Sequence, residues 1–460
     1  MSVRAIILAA GKGTRMRSDT PKVLHSVAGR PIISWVVDVV RAAGVDDLTV
    51  VIGHGADSVA AVLPEGVRAV VQAGQAGTGD AARVAIGAMG DLTGDVVLVV
   101  PGDSPLFRPG TLRELLAAHA AGKAACTVLT TRMADPTGYG RVVRVDDQVA
   151  RIVEERDADE KTRALTEVAI STYVFDGAAL VAALDGLTAD NDQEEYYLTD
   201  AVGLVAGLGG VGALEVTDST ETLGVNSHDQ LAMVDTAMRA RINRDWMAQG
   251  VRMLDPSRVY IEAGVTLEPG ATIYPGVHLA GATHIAADAL VGPDTFVVDS
   301  MIRRGARVWY SVVRGTDVGE DADVGPYASL RPGTVLAAAA KAGTFVEVKA
   351  STIGRGSKVP HLSYIGDATI GEDANVGAGA ITCNYDGFRK HHTTIGSRVF
   401  IGSDTMLVAP VEIGDDAVTG AGSVITHDVA PGALAVERSL QKEIPGYAER
   451  RARLADAEGE

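Results

Sequence analysis

The chain has 460 residues, 47% of them hydrophobic but only 4% aromatic, so its cores must be filled by Val, Ile, Leu and Ala. A formal charge of −18 argues against nucleic acid or an anionic membrane surface as the main partner. The only cysteines, Cys126 and Cys383, have no paired spacing, which excludes a disulfide framework and a thiolate zinc site. The length allows two large domains or about three average ones. No apolar run is long enough to span a membrane. The N-terminal Met1-Ser-Val-Arg4, followed at once by Ala5-Ile-Ile-Leu8, reads as a first strand rather than a signal peptide. A cytoplasmic protein without membrane insertion is expected.

In chain order, the apolar run Val3–Leu8 leads into Ala9-Ala10-Gly11-Lys12-Gly13-Thr14-Arg15-Met16. A buried strand feeding a glycine loop and then a helix is a nucleotide-binding arrangement: backbone N–H groups approach phosphate, and Lys and Arg supply charge. The loop lacks the third glycine of the dinucleotide pattern and the Gly-Lys-Ser/Thr of a P-loop, so alone it is a weak signal. Apolar runs at 48–52, 95–100 and 125–130, separated by Ala-rich helical stretches, predict a doubly wound α/β sheet. Asp103 follows the run 95–100, which places a carboxylate at the carboxyl edge of that sheet. There it suits Mg2+, although Asp also serves as a turn or cap residue. Leu231, Val234, Met238 and Ile242 recur at helical spacing between Ser227 and Gly250 and predict a connector helix.

Beyond it the pattern changes. Ile261, Leu267, Ile273, Leu279, Ile285, Val291 and Val297 fall on a six-residue beat. The beat resumes at Val312, Val318, Val324, Leu330 and Leu336, then at Ile353, Val359 and Ile365, and again at Ile395, Ile401, Leu407 and Ile413. Six fits neither a strand's period nor a helix's, but it fits a short strand plus a turn, repeated. Residues ~251–435 are therefore read as a parallel β-helix of hexapeptide repeats. At Thr344-Phe-Val-Glu-Val-Lys349, alternation sends Val346 and Val348 inward and Glu347 and Lys349 outward. The beat loses step between Val376 and Ile395, where Thr382–His392 is expected to leave the coil as a loop. Adjacent His391 and His392 would point to opposite faces of an extended chain, which disfavours one shared metal ion. The charged, Ala-rich stretch 450–460 reads as a frayed helix or tail. The expected domains are thus 1–228, a linker helix 229–250, and 251–460.

The head also resembles the sugar-nucleotide pyrophosphorylases, through Leu8–Met16 with Thr20-Pro-Lys22-Val-Leu24, then Gln72, Gly77-Thr78-Gly79 and Gly102-Asp103-Ser-Pro-Leu106. The match continues through Thr137-Gly-Tyr-Gly140-Arg141, Ile152-Val-Glu154, Glu195-Tyr-Tyr-Leu-Thr-Asp200 and Val225-Asn226. With Leu330-Arg331-Pro-Gly333, Lys358-Val-Pro-His361-Leu-Ser-Tyr364 and the 382–392 segment, nearly the whole chain is similar to one bacterial family. That family joins an N-acetylglucosamine-1-phosphate uridyltransferase to a glucosamine-1-phosphate acetyltransferase. The resemblance implies a left-handed winding of the β-helix, a homotrimer and Mg2+ as cofactor. UTP, N-acetylglucosamine-1-phosphate, glucosamine-1-phosphate and acetyl-CoA are the implied ligands.

By resemblance, UTP and UDP-sugar are bound by Leu8, Ala9, Ala10, Gly11, Arg15, Lys22, Gln72, Gly77, Thr78, Gly140, Glu154 and Asn226, and the metal by Asp103 and Asn226. His361 is the implied general base, with Glu347 as a carboxylate to orient its imidazole. Arg331, Lys349, Tyr364 and Asn375 are implied for the amino-sugar phosphate, and Ala378, Asn384, Tyr385, Ser403, Ala421 and Arg438 for acetyl-CoA, partly across a subunit boundary. Three positions depart from the family pattern: Asp80 stands where His is expected, Pro101 where Tyr or a small residue is common, and Ala169 where a sugar-binding Asn is expected. The rivals are a non-catalytic scaffold built from the same two folds, or a related transferase for another sugar. Lys22, Asp103, Asn226, His361 and Lys349, all present, oppose the scaffold.

Overall fold

The structure, a computed structural model, describes residues 2–457, with side chains described to residue 455; Met1 and the last three residues of the charged 450–460 stretch lie outside it. It falls into two compact units with the boundary between Ile242 and Asn243. Among the described residues no helix is long and apolar enough to cross a membrane.

The first unit is built on a sheet of β1 (Val3–Ala9), β2 (Asp47–Ile52), β3 (Arg68–Val71), β4 (Val96–Pro101), β5 (Cys126–Arg132), β6 (Gly140–Val145), β7 (Gln148–Val153), β8 (Glu167–Asp176) and β9 (Val211–Glu215). Their order is β9-β5-β8-β4-β1-β2-β3, with β6 paired to β8 and β7. β1 lies parallel to β2 and β4, whereas β8 runs antiparallel to β4 and β5, so the sheet is mixed. Alternation along β1 sends Ile6 into one apolar cluster and Ala5 and Ile7 into another. The helices Thr78–Met89, Gly177–Asp185 and Leu198–Gly209 cover the first face; Ile32–Ala42 and Pro109–Ala121 cover the second. Burial on both faces explains why these strands read as continuous apolar runs. The helix His228–Ala248 forms where helical spacing predicts it, and its Val234 and Met238 are buried with Met16, Ile32 and Leu106.

The second unit is a parallel β-helix of hexapeptide repeats, the left-handed class. Its strands of two to four residues stack into three sheets of 11, 10 and 9 strands, each coil giving one strand to each sheet. Ile261, Leu279 and Val297 therefore lie above one another, fully buried. The ladder is more continuous than a six-residue beat reveals. The buried knob is Val313, not Val312, which is only half-buried. The step is five residues from Val297 to Ile302, from Val308 to Val313 to Val318, from Val348 to Ile353, and from Ile365 to Ile370. Each short step turns through a residue at positive φ (Asp299, Tyr310, Gly315, Ala350, Asp367), followed by buried Ser300, Ser311, Thr316 or Ser351, or by buried Ala368 in the last. Three of these hydroxyls accept a bond from a main-chain amide one coil on: Ser300 Oγ from Thr316 at 3.1 Å, Ser311 Oγ from Ala328 at 3.1 Å, Ser351 Oγ from Ala368 at 2.9 Å. The hydroxyl thus satisfies a buried corner amide. Ala342 and Val348 fill the rungs between Leu336 and Ile353, and Ile370, Val376 and Thr382 fill those between Ile365 and Ile395, all buried. The coil is left only after Cys383, and Tyr385 and Lys390 pair across the base of the excursion.

Candidate active sites

All thirteen residues that the sequence assigns to the head line one cleft of about 740 Å³, at the carboxyl edge of β1 and β4. They come from segments as far apart as Leu8 and Asn226, and the sheet is what gathers them. After β1 the loop turns at Gly13, whose φ of 59° favours glycine, and Met16 anchors it in the apolar cluster beneath. Lys12 and Arg15 stay exposed. Gly102 follows β4 so closely that a Cβ there would stand 2.9 Å from the Leu8 carbonyl oxygen. Asp103 is thereby held beside the loop.

The Lys22 ammonium donates to Asp103 Oδ2, and to Asn226 Oδ1 at 3.0 Å. Asn226 is fixed by the Gln230 side chain, which accepts its amide at 2.8 Å. One carboxylate oxygen and one amide oxygen therefore converge on a single cationic centre. This all-oxygen pair fits Mg2+, which takes few protein ligands and completes its shell with water and substrate phosphate. Among the described residues no three His, Cys, Asp or Glu side chains cluster as a metal site.

Deeper in the cleft, Glu154 accepts a hydrogen bond from the Thr199 hydroxyl at 2.9 Å. Burial pushes its carboxyl above the ordinary value, although that bond opposes the shift. Gln72 is buried, and its Nε2 donates to the Gly77 carbonyl at 3.0 Å and to Asp80 Oδ2 at 2.7 Å. Thr78 Oγ1 accepts the amide of Leu198 at 2.9 Å. Ala169 and Gly140 are partners across β8 and β6, and Ala169 presents only a methyl group to the cleft. Tyr139, Ser171 and Thr199 also line the cleft. The sequence motifs contain Tyr139 and Thr199 but give them no role. Burial, then the charge of Asp103, raises the pKa of the Tyr139 phenol.

In the β-helix, Val346 and Val348 point inward and Glu347 and Lys349 are half-exposed, as alternation predicts. Arg331, Glu347 and Tyr364 lie on one sheet in successive coils. The Glu347 carboxylate accepts from Arg331 Nη1 at 2.9 Å, so it is engaged there and not on His361. Within one chain, its strand faces outward from a different sheet than the one His361 ends. Lys349 Nζ donates to both oxygens of Asp367, at 2.9 and 3.0 Å, and Asn384 Nδ2 donates to Asp367 Oδ2 at 2.5 Å. Asn384 Nδ2 also lies 3.4 Å from the Tyr364 hydroxyl. Asp367, which the sequence did not single out, is thus a hub for two expected site residues, Lys349 and Asn384. Burial opposes its ionisation, yet its pKa stays below the ordinary value because Lys349 and Asn384 hydrogen-bond it. Lys349 also pushes down the pKa of Lys390 on the excursion.

His361 ends the strand Lys358–His361 and is exposed at the following corner. The same corner continues through Ala378, Ser403 and Ala421. Gly379 donates to the His361 carbonyl at 3.4 Å, Asp404 to Ala378 at 2.7 Å, Gly422 to Ser403 at 2.8 Å, and Arg438 Nη1 to Ala421 at 2.9 Å. Four of the expected acetyl-CoA residues therefore form one column beside the expected base. Asn375 belongs to the sheet of Lys358 and Phe400, a different face from Arg331, Lys349 and Tyr364. His391 bonds Asp386 at 2.7 Å and His392 bonds Thr369 at 3.0 Å, so the two rings diverge.

A nucleotide-sized cleft on a doubly wound sheet, joined to a hexapeptide β-helix, defines a two-domain transferase. Residues 5–172 match the MobA-like NTP transferase domain, and residues 392–427 match the bacterial transferase hexapeptide (six repeats). The chain is 49% identical to the bifunctional protein GlmU of Heliobacterium modesticaldum, over 95% of this chain and 96% of that one. It is 46% identical to the Streptomyces avermitilis protein of that name, covering 97% and 94% of the two chains. The corresponding protein of Mycolicibacterium vanbaalenii is also 46% identical, covering 97% and 92%. The chain belongs to the GlmU family of bifunctional proteins.

Proposed function

We propose that the two sites catalyse consecutive steps of UDP-N-acetylglucosamine synthesis. The tail acetylates glucosamine-1-phosphate from acetyl-CoA, and the head then joins N-acetylglucosamine-1-phosphate to UTP and releases pyrophosphate. The observation that carries this reading is the end-to-end match, spanning 95% of the chain and both of its sites.

In the tail, the sugar ammonium must lose a proton before its nitrogen can attack the thioester carbonyl and expel the CoA thiolate. His361, exposed beside the acetyl-CoA column, takes that proton. Arg331, Lys349, Tyr364 and Asn375 hold the amino-sugar phosphate. Ala378, Asn384, Tyr385, Ser403, Ala421 and Arg438 hold acetyl-CoA. Asn375 lies on another sheet from the other three sugar residues, which supports a site completed by a second copy of the chain. Exposed Tyr310, Tyr327, Phe345 and Leu362, one per coil along the corner that His361 closes, give that copy an apolar contact and support a homotrimer.

In the head, an oxygen of the sugar phosphate attacks the α-phosphorus of UTP directly, so no protein nucleophile is needed. The backbone of Leu8–Gly11 with Arg15 and Lys22 holds the phosphates; Gln72, Gly77 and Thr78 hold the nucleoside; Gly140, Glu154 and Asn226 hold the sugar. Mg2+, held by Asp103 and Asn226, would neutralise charge building on the phosphates. Nucleotide and thioester substrates fit a cytoplasmic enzyme.

The test is to incubate the purified protein with glucosamine-1-phosphate, acetyl-CoA, UTP and Mg2+, and to identify products by mass. UDP-N-acetylglucosamine and pyrophosphate are expected, made by a trimer in light scattering. Failure to acetylate glucosamine-1-phosphate, or an active monomer, would overturn the corresponding part.

A further inference from the structure

We propose that Asp80 is the positioning residue that makes the head read uracil, by locking the side-chain amide of Gln72 in one of its two orientations. This rests on the reading of the cleft as the UTP site.

Gln72 is 4% exposed and lines the cleft, while Asp80 stands behind it in the first turn of the helix Thr78–Met89. An amide can present either its NH2 or its oxygen in a given direction, and chemistry decides which. Here the two partners are the Gly77 carbonyl, 3.0 Å away, and the Asp80 carboxylate, 2.7 Å away. Both can only accept, so both N–H bonds of Gln72 are turned to them. The remaining polar atom, Oε1, meets no donor among the described residues and is left for the cleft.

Uracil carries a donor at N3, which an amide oxygen accepts. Cytosine carries a lone pair at N3, which the same oxygen repels. To welcome cytosine, Gln72 would have to flip, and its oxygen would then face a carbonyl oxygen and a carboxylate with no proton between them. Gly77 supplies one of these acceptors from a fixed backbone, since its amide neighbours dock on Tyr196: Gly79 donates to the Tyr196 carbonyl at 2.7 Å. Asp80 supplies the charged one. A site that demands a hydrogen bond rejects the analogue lacking it more sharply than any apolar pocket does. The departure at position 80 therefore carries a function of its own in this chain.

Asp80→Asn separates this role from a structural one. Asparagine keeps the size and can still accept from Gln72, yet its own NH2 can equally donate to a flipped Gln72 oxygen. Pyrophosphate release is measured with UTP and with CTP at saturating N-acetylglucosamine-1-phosphate and Mg2+, for the parent, Asp80→Asn, Asp80→Ala and Gln72→Ala. Acetyl transfer by the same chain serves as an internal control. The UTP-over-CTP ratio of kcat/KM is expected to fall by at least about tenfold in both Asp80 variants. Equal losses with both nucleotides, or an unchanged ratio, would mark Asp80 as a helix-start residue only and overturn the inference, while a raised KM for UTP in Gln72→Ala would leave the site reading standing. An unchanged KM for UTP in Gln72→Ala would overturn both.

Discussion

Thr382→Val tests whether the excursion that carries Asn384 and Tyr385 is tied to the coil by a hydroxyl. Thr382 occupies a core rung above Ile365, 1% exposed, where every regular coil places an aliphatic residue. Elsewhere on this sheet a strand's amide meets a carbonyl one coil on, as Arg331 meets Val348 at 2.9 Å. At the excursion the Thr382 carbonyl is taken by the Asn384 amide at 2.9 Å. The Gly366 amide donates instead to Thr382 Oγ1 at 2.7 Å, and that hydroxyl donates back to the Gly366 carbonyl at 3.1 Å. Valine keeps the shape but strands a buried N–H, which costs about 1–3 kcal/mol. Burying a methyl group in place of the hydroxyl returns about 0.8 kcal/mol. The net loss of about 0.2–2.2 kcal/mol should speed local opening by up to roughly 40-fold. Hydrogen exchange of the peptide covering 364–384 reads this directly, and KM for acetyl-CoA should rise while uridylyl transfer is unchanged. Exchange and acetyl transfer equal to the parent's would refute the argument, because they would mean that Gly366 finds another acceptor.

His361→Ala should lower acetyl transfer by roughly 10²- to 10⁴-fold and leave uridylyl transfer untouched in the same preparation; an unchanged acetylation rate with the β-helix intact would remove His361 as the base. A fragment ending at Ile242 should retain uridylyl transfer, whereas one ending at Asp229 should melt lower, because it loses Val234 and Met238 from the cluster that anchors Met16; equal melting points would contradict this. For pH, the sign follows from Glu154, whose carboxyl burial raises, so the folded head binds that proton more tightly than the unfolded chain does. Its stabilising contribution is present in the ordinary carboxylate range and is lost as pH rises through the raised value. Glu154→Gln, which keeps an acceptor for Thr199, should therefore melt higher than the parent at pH 8, with the gap closing toward about pH 4. A gap that widens in acid would reverse the assignment.

Much of this was legible because hydrophobic periodicity reports burial. The seven rungs from Ile261 to Val297 are all buried, and the runs at 48–52, 95–100 and 125–130 are all strands of one sheet. The missed rungs have a common cause. A corner can close with five residues at a positive φ, with a buried hydroxyl following it at four corners and Ala368 at a fifth, and nothing in an aliphatic count marks that choice. Ala342 and Thr382 then hide inside the ladder because one is small and the other polar. Asp367 was hidden for a different reason. Asp288, Asp294, Asp299, Asp321, Asp373, Asp404 and Asp416 also turn corners at positive φ, which Asp tolerates, so the one carboxylate that gathers Lys349 and Asn384 looks like its neighbours. Only packing distinguishes it.

The three departures in the head show that a change of residue type has no fixed meaning until its neighbours are known. Pro101 ends β4 opposite Leu8, and the Leu8 carbonyl takes its bond from the next residue, Gly102, at 2.8 Å. A missing N–H at the last position of the strand therefore costs the ladder nothing there. Asp80 brings an acceptor to Gln72, a gain in definition rather than a loss. Ala169 is the one position where polarity is removed, and it lies in a stretch where the register of β8 against β5 shifts between Ala169 and Tyr173. Within that irregularity Ser171 sits at a φ of 49°, exposed and lining the same cleft. Holding a non-glycine residue there costs free energy, and strain of this kind persists where surrounding structure over-determines it. The bulge thus sets a hydroxyl beside the methyl group of Ala169, so the wall of the cleft keeps a hydrogen-bonding group two residues from where the amide would have stood.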